Sequence, residues 1–343
     1  MSLVFVDGCD HASGGDTNFK WDVMFDTPAY SLSGGMFGQG AYQFNNRDWV
    51  GKHLSNLSSV TIGFGYRAQT PIGGSNIRVT FNDNRGEQIT FSRTGQGIWS
   101  IAGPGELGRS SQPDRAQFTW RYIELHIAIS DNTGPSDIQM MLDGQLWIDG
   151  AAGQDTNQQN TGTIDFVAFG ASANISDNFA RMDDIYILTS EGPLSTFLGP
   201  IRIDTLWPTS EGTDGTDFTP FVGASAALDV DERSPNDGTD YIHASVTDDF
   251  MTFNMSSFSA ISQTDSIHGV AINFFANKIG GGARRIGGVV EASGTSFTSL
   301  SFAMPIGWIN YQTIYTSNPS DAGTAVWAVS EVCAASWGVV ITL

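Results

Sequence analysis

The sequence predicts an all-β protein made of two tandem antiparallel β-sandwich domains of jelly-roll type. Three observations predict this. Apolar residues recur at every second position, as in "RYIELHIAIS", where Ile123, Leu125, Ile127 and Ile129 share one face and Tyr122, Glu124, His126 and Ala128 the other; successive strand side chains point to opposite faces, so this pattern half-buries a strand. Glycine is abundant, 40 of 343 residues, among many Ser, Thr, Asn and Asp, and these supply the turns that many short strands need. No window of helical length carries a convincing 3.6-residue period.

In chain order, "DWVGKHLSNL" from Asp48 comes nearest to a helical pattern and is read as extended. Strands are then expected in "SSVTIGFGYRA" from Ser58, "NIRVTF" from Asn76 and "EQITFSR" from Glu87. After "RYIELHIAIS", the run "IQMMLDGQLWID" carries Asp143-Gly144, a hairpin signal because a tight primed turn needs positive φ. "TIDFVAFG" from Thr163 and "DIYILT" from Asp184 close the first half. Two Gly-Pro steps in "EGPLSTFLGPIRIDTLW" mark a boundary, giving a domain over 1–192, a linker over 193–206 and a second domain over 207–343. The second half offers "DYIHASV", "FMTFNM", "IHGVAINFF", "RIGGVVEAS", "FTSLSFAM", "GWINYQTIYT", "TAVWAVSEV" and a final "SWGVVITL". That apolar tail is an aggregation hazard unless it pairs in a sheet or against another subunit.

The net charge of −20, with three lysines among 16 basic residues, disfavours nucleic acid and anionic membrane as partners. Acidity concentrates in residues 200–265, which hold 12 acidic and 2 basic side chains. Cys9 and Cys333 form no disulfide framework or zinc pattern and are expected as free thiols. "MSLVFVDGCDH" lacks the basic start and long apolar run of a signal peptide, so folding in the cytoplasm of the producing cell is expected.

Residues 1 to about 190 resemble a laminin-G-like, concanavalin-A-like jelly roll, through "VFVDGCD", the paired strands around the Asp-Gly hairpin, and "RMDDIYIL". The whole chain resembles a family of tailed-bacteriophage virion proteins. The likeness rests on "FVDGCD", Trp207-Pro208, Asp231-Glu232, Asp240-Tyr241-Ile242, Asn318-Pro319 and Trp327, in that order. Cys9 stands where the family more often has an aromatic residue, which argues against a shared role for it. The resemblance implies a non-enzymatic structural protein of a virion, made in the host cytoplasm. A tail fibre or tail-associated adhesin comes first, with a capsid decoration or head-fibre protein, or a carbohydrate-binding lectin-like module, as alternatives. The partners implied are other virion proteins, copies of the chain itself, with a trimer favoured, and a host-surface glycan.

Asp183 and Asp184 are the most conspicuous carboxylates. Alternation puts Asp183 with Ile185 and Ile187, and Asp184 with Tyr186 and Leu188, so one must point inward and needs a backbone N–H, Arg181 or a cation. Structural hydrogen bonding is the first reading and calcium the second; adjacent strand residues diverge, which suits no acid–base dyad. The loop "DVDERSPNDGTD" gathers Asp229, Asp231, Glu232, Asn236, Asp237 and Asp240, hard oxygen ligands that suit calcium or a solvated acidic turn. A jelly-roll glycosidase would carry Glu-x-Asp-x-x-Glu on one strand; the chain has eight Glu and no such run. Glu124 and His126, beside Tyr122, are read as an ordinary polar outer face. Trp49, Trp99, Trp120, Trp147, Trp207, Trp308, Trp327 and Trp337 are read mostly as core, with Trp147, just past the hairpin turn, the candidate for stacking on a sugar.

Overall fold

The computed structural model describes residues 2–10, 20–68, 77–131, 137–150, 153–171, 180–190, 194, 197–232, 238–258, 261–321 and 326–343, less residues 27, 32, 39, 46, 104, 117, 158–160 and 263. The chain is nearly all β and divides into two compact units, Met1–Ile203 and Asp204–Leu343.

The first unit lays down β1 (Leu3–Asp7), β2 (Val23–Phe25), β3 (Ala29–Ser31), β4 (Ala41–Phe44), β5 (Trp49–Leu57) and β6 (Ser59–Ala68). Next come β7 (Ile77–Asp83), β8 (Gly86–Arg93), β9 (Trp99–Ala102) and β10 (Glu106–Arg109), a meander in one sheet. The last are β11 (Arg121–Ala128), β12 (Ile138–Leu142), β13 (Gln145–Asp149), β14 (Ile164–Ala171) and β15 (Ala180–Thr189). One sheet has the order β13-β12-β11-β6-β15-β4-β3, with β1 also on β15; the other has β10-β9-β8-β7-β14-β5-β2. Their inner faces meet in one continuous core, where Phe64 meets Phe169 at 5.7 Å and Tyr66 meets Trp99 at 5.4 Å between ring centroids. This is a two-sheet sandwich of jelly-roll type.

Local chemistry explains the register. Ile123, Leu125 and Ile127 of β11 lie in the core, as their spacing predicts. The turn between β12 and β13 has φ of +50° at Asp143 and +77° at Gly144, the two left-handed residues of a primed hairpin. The Asp143 carboxylate secures it by accepting the Tyr122 N–H at 2.8 Å and the Arg121 guanidinium at 2.6 Å.

Two expectations on this sheet fail, for physical reasons. The outer face of β11 is not solvated: Tyr122 and Glu124 are both about 1% exposed. Residues 198–199 lie across that face, and their backbone N–H groups donate to the Glu124 carboxylate. The alternation through Asp183 and Asp184 also breaks. Asp184 adopts a φ of +49°, and the pairing of β15 with β6 slips between Asp183 and Tyr186. This bulge inserts one residue between core-facing Met182 and core-facing Ile185, so neither carboxylate joins the apolar core.

The second unit contains β16 (Pro208–Thr216), β17 (Thr219–Pro220), β18 (Ile242–His243), β19 (Phe250–Met255), β20 (Ser266–Ile267) and β21 (Val270–Ala276). After these come β22 (Arg285–Ala292), β23 (Thr295–Thr298), β24 (Phe302–Ala303), β25 (Ile309–Tyr315), β26 (Trp327–Ala328), α1 (Val329–Ala334) and β27 (Ser336–Thr342). A six-stranded sheet, β16-β19-β27-β22-β23 with β24 on β22, is its main element, and the β21–β25 ribbon packs on it through Ile272, Val290 and Trp337. The apolar C-terminal tail is β27, paired on both sides, which removes the edge hazard. "TAVWAVSEV" is not one strand: two residues pair as β26, then a helical turn begins. Val329 and Val332, three apart, are both buried there, and the Glu331 carboxylate accepts the Ala328 N–H at the helix start.

Candidate functional site

The outward face of the seven-stranded sheet in the first unit carries an open groove of about 840 Å³, within the range of ligand-binding clefts. Cross-strand pairing fixes its layout. One row across the strands reads Phe25, Trp49, Gly170, Arg78 and Ser92. The next reads Val23, Gly51, Ala168, Thr80 and Thr90, and a third reads His53, Phe166, Asn82 and Glu87. Aromatic side chains therefore gather over β2, β5 and β14, and polar ones over β7 and β8. At the usual strand spacing these five strands span about 19 Å.

Glycine at position 51 lets the Phe166 ring lie close against the sheet. A Cβ at Gly51 would fall 2.1 Å from the Phe166 ring, and one at Gly170 would fall 2.5 Å from Trp49 Cβ. The Phe166 ring thus lies over Gly51, where a larger residue would push it away, while Gly170 is closed in by the Asp48 backbone oxygen at 2.4 Å and by Trp49 Cβ and Cα. Phe25 stacks near Trp49 at 6.3 Å and 13°, Trp49 meets Phe166 edge-on at 6.1 Å, and His53 sits 4.9 Å from Phe166. Phe25 stays 49% exposed, a cost in water that a stacked ligand would relieve.

On the polar half, Arg78 and Glu87 form an ion pair, both somewhat under half exposed, and Glu87 also accepts the Thr90 hydroxyl. Asp83, at the groove end, is buried. Burial pushes its carboxyl pKa up, but bonds from Thr161, the Arg85 and Gly86 N–H groups and Gln88 outweigh this and hold it below the usual range. Glycoside hydrolysis needs one carboxyl kept protonated as general acid. Asp83, held as an acceptor with its pKa lowered, is not set up for that role.

Apart from Trp49, the residues singled out in the sequence lie elsewhere. Trp147 is half-buried against the core of the first unit. Asp183 accepts the N–H of Met36 at 2.7 Å and of Asp184 at 2.8 Å, while Asp184 accepts the Ile203 N–H at 2.6 Å. These are structural contacts to backbone. Burial is the first cause raising both pKa values, that of Asp183 to about 7 and that of Asp184 well above its ordinary value; Asp183 is the next cause at Asp184. Glu124 accepts Leu198, Gly199 and the Tyr186 hydroxyl, and His126 Nδ1 lies 2.9 Å from Thr61 Oγ1.

In the second unit Asp229 is a loop anchor. Its carboxylate accepts N–H groups of Phe221 at 2.8 Å, Val222 at 3.1 Å and Gly223 at 3.2 Å. Asp231 is exposed. Glu232 has its pKa raised to about 7, by burial first and then by a hydrogen bond with Asp240. Asn236 and Asp237 fall outside the described residues. Among the described residues, no three His, Cys, Asp or Glu side chains gather closely enough to hold a metal ion. Cys9 is buried and Cys333 exposed, both as free thiols.

Of the groove residues, only Trp49 stood among the sequence candidates. A readable signal was there: Trp49, Gly51 and His53 share one strand face by period two, as do Phe166, Ala168 and Gly170.

No family model and no curated protein matches the sequence. Among solved structures, "Cellulose induced protein, Cip1" is similar over 56% of this chain and 100% of its own, at 17% identity and a TM-score of 0.41. A protein of unknown function with a galectin-like fold from Bacillus subtilis matches over 55% of this chain and 96% of its own, at 7% identity and a TM-score of 0.36. The VIP36 exoplasmic/lumenal domain, in a Ca2+/Man3GlcNAc-bound form, matches over 45% and 80%, at 7% identity and a TM-score of 0.32. A protein named sialidase is covered over only 17% of its length.

Proposed function

We propose that the chain is a non-catalytic glycan-binding module of lectin type, and that the groove over β2, β5, β14, β7 and β8 is its binding site. One observation carries this reading. A cluster of aromatic side chains, exposed Phe25 stacked near half-buried Trp49 with half-buried Phe166 edge-on to Trp49, lies beside the Arg78–Glu87 pair. Pyranose rings present an apolar C–H face and a rim of hydroxyls, and this surface supplies a partner for each. No step of the reading needs calcium, because the contacts are rings, a guanidinium and a carboxylate.

Glycan-array binding followed by calorimetry on the best hit tests it. Trp49→Ala should weaken binding by about tenfold or more, the scale of losing a central aromatic anchor. Gly51→Ala, which must lift the Phe166 ring, should weaken binding several-fold while moving the thermal midpoint by under about 5 °C. Unchanged affinity in both variants would move the site off this groove.

The resemblance of the sequence motifs to tailed-phage virion proteins supports siting such a module on a phage particle, as part of a tail fibre or tail-associated adhesin, with a capsid decoration as the rival site. None of the structural neighbours named above carries the name of a virion protein, so this placement rests on the sequence motifs alone. Mass spectrometry of purified particles tests it directly. Attachment through a shallow groove gains from repetition, because linked sites raise the effective concentration of the next contact. A homo-oligomer is therefore part of the proposal, and light scattering should return three times the chain mass; a monomer would remove the trimer.

A further inference from the structure

The charges around the groove bear on the class of glycan that suits it. Its lining holds Asp83, Glu87 and Asp165 against Arg47 and Arg78, in a chain whose net charge is −20. The Arg78 guanidinium is already engaged by Glu87. Asp83 is a fixed charge, bound by two backbone N–H groups and by the Gln88 and Thr161 side chains. An approaching polyanion therefore meets a surface whose field opposes it, with the Arg78 charge offset by Glu87. A neutral sugar meets no such barrier.

The same pair offers a positive basis for recognition. A half-exposed carboxylate beside a half-exposed guanidinium places fixed acceptors next to fixed donors. Two adjacent hydroxyls on a pyranose match that arrangement: one donates to Glu87 and its neighbour accepts from Arg78. The Thr90 hydroxyl, already bonded to Glu87, helps to hold the carboxylate in place before the ligand arrives. The aromatic half then covers the C–H face of the same or the next ring.

We infer that the groove selects uncharged pyranose chains, with Arg78 and Glu87 reading a pair of adjacent hydroxyls, and turns away uronate-, sialate- and sulfate-bearing glycans. This rests on the glycan-binding reading above, and the test separates the two.

Affinity electrophoresis of the full chain in gels containing neutral polymers (a galactan, a glucan, a mannan) or acidic ones (polygalacturonate, alginate, heparin) is the experiment. Retardation by at least one neutral polymer is expected, changing less than about twofold between about 20 mM and about 300 mM salt, with none by the acidic polymers. Glu87→Gln should weaken the neutral interaction about tenfold, the scale of losing a hydrogen bond to a charged group. Retardation by acidic polymers that fades with salt overturns the selectivity and leaves the glycan reading standing. Neutral binding unchanged in Glu87→Gln overturns the hydroxyl-pair assignment. Failure of every polymer overturns both readings.

Discussion

Asp184→Asn should stabilise the protein at about pH 8 and leave it nearly unchanged at about pH 4. The cause is a cluster of buried carboxyls, Asp7, Asp10, Asp183 and Asp184, none more than 8% exposed. Lys20 pairs with Asp7, and Arg202 acts at longer range on Asp184. Burial, then the mutual repulsion of these groups, raises the Asp184 pKa well above its ordinary value, while burial carries that of Asp183 to about 7. The native state therefore keeps protons that the unfolded chain has lost above about pH 4, so unfolding releases protons. Stability is fully present below the unfolded pKa and falls as pH rises through about 7 for Asp183 and beyond for Asp184. Asparagine keeps an oxygen for the Ile203 N–H, tolerates the φ of +49°, and puts an amide where Asp184 Oδ2 has no hydrogen-bond partner. Thermal midpoints of both proteins across this range check it. A wild-type pH slope retained in Asp184→Asn would refute the mechanism.

Much of this architecture was legible in the sequence. The period-two runs of β6, β11, β14 and β27 each became a strand, and Asp143-Gly144 became its hairpin, because burial and turn chemistry act within a few residues. β16 was not legible: "PTSEGTDGT" has no apolar face, and its pairing to β19 as the edge strand is interrupted by two register shifts. The carboxylate pair was visible but its geometry was not, since one left-handed residue at Asp184 resets the alternation. The groove was harder still. Its rows join β5 to β14 and β14 to β7, strands far apart in the chain, so each face could be read while their juxtaposition could not.

Glu124 shows the same limit from the other side, and its removal should be among the most damaging single changes in the first unit. Its carboxylate accepts three donors: the Leu198 N–H at 2.8 Å, the Gly199 N–H at 2.9 Å and the Tyr186 hydroxyl. Glu124→Ala leaves all three without their acceptor in a site about 1% exposed, and opens a void beneath residues 198–199. Each buried donor left unpaired costs roughly 1–3 kcal/mol, so a total loss on the order of 3–5 kcal/mol is expected after partial relaxation. Burial raises the Glu124 pKa against the opposing pull of these same donors, which means that its charge is partly a liability. Glutamine keeps an acceptor oxygen of the same reach without the charge, so Glu124→Gln should cost under about 1.5 kcal/mol. Denaturant unfolding gives both numbers. Hydrogen exchange at the Leu198 and Gly199 amides separates this account from simple loss of packing: protection should vanish in Glu124→Ala and persist in Glu124→Gln. Equal protection in the two variants would mean that packing, and not the carboxylate, holds this strap of chain to the sheet.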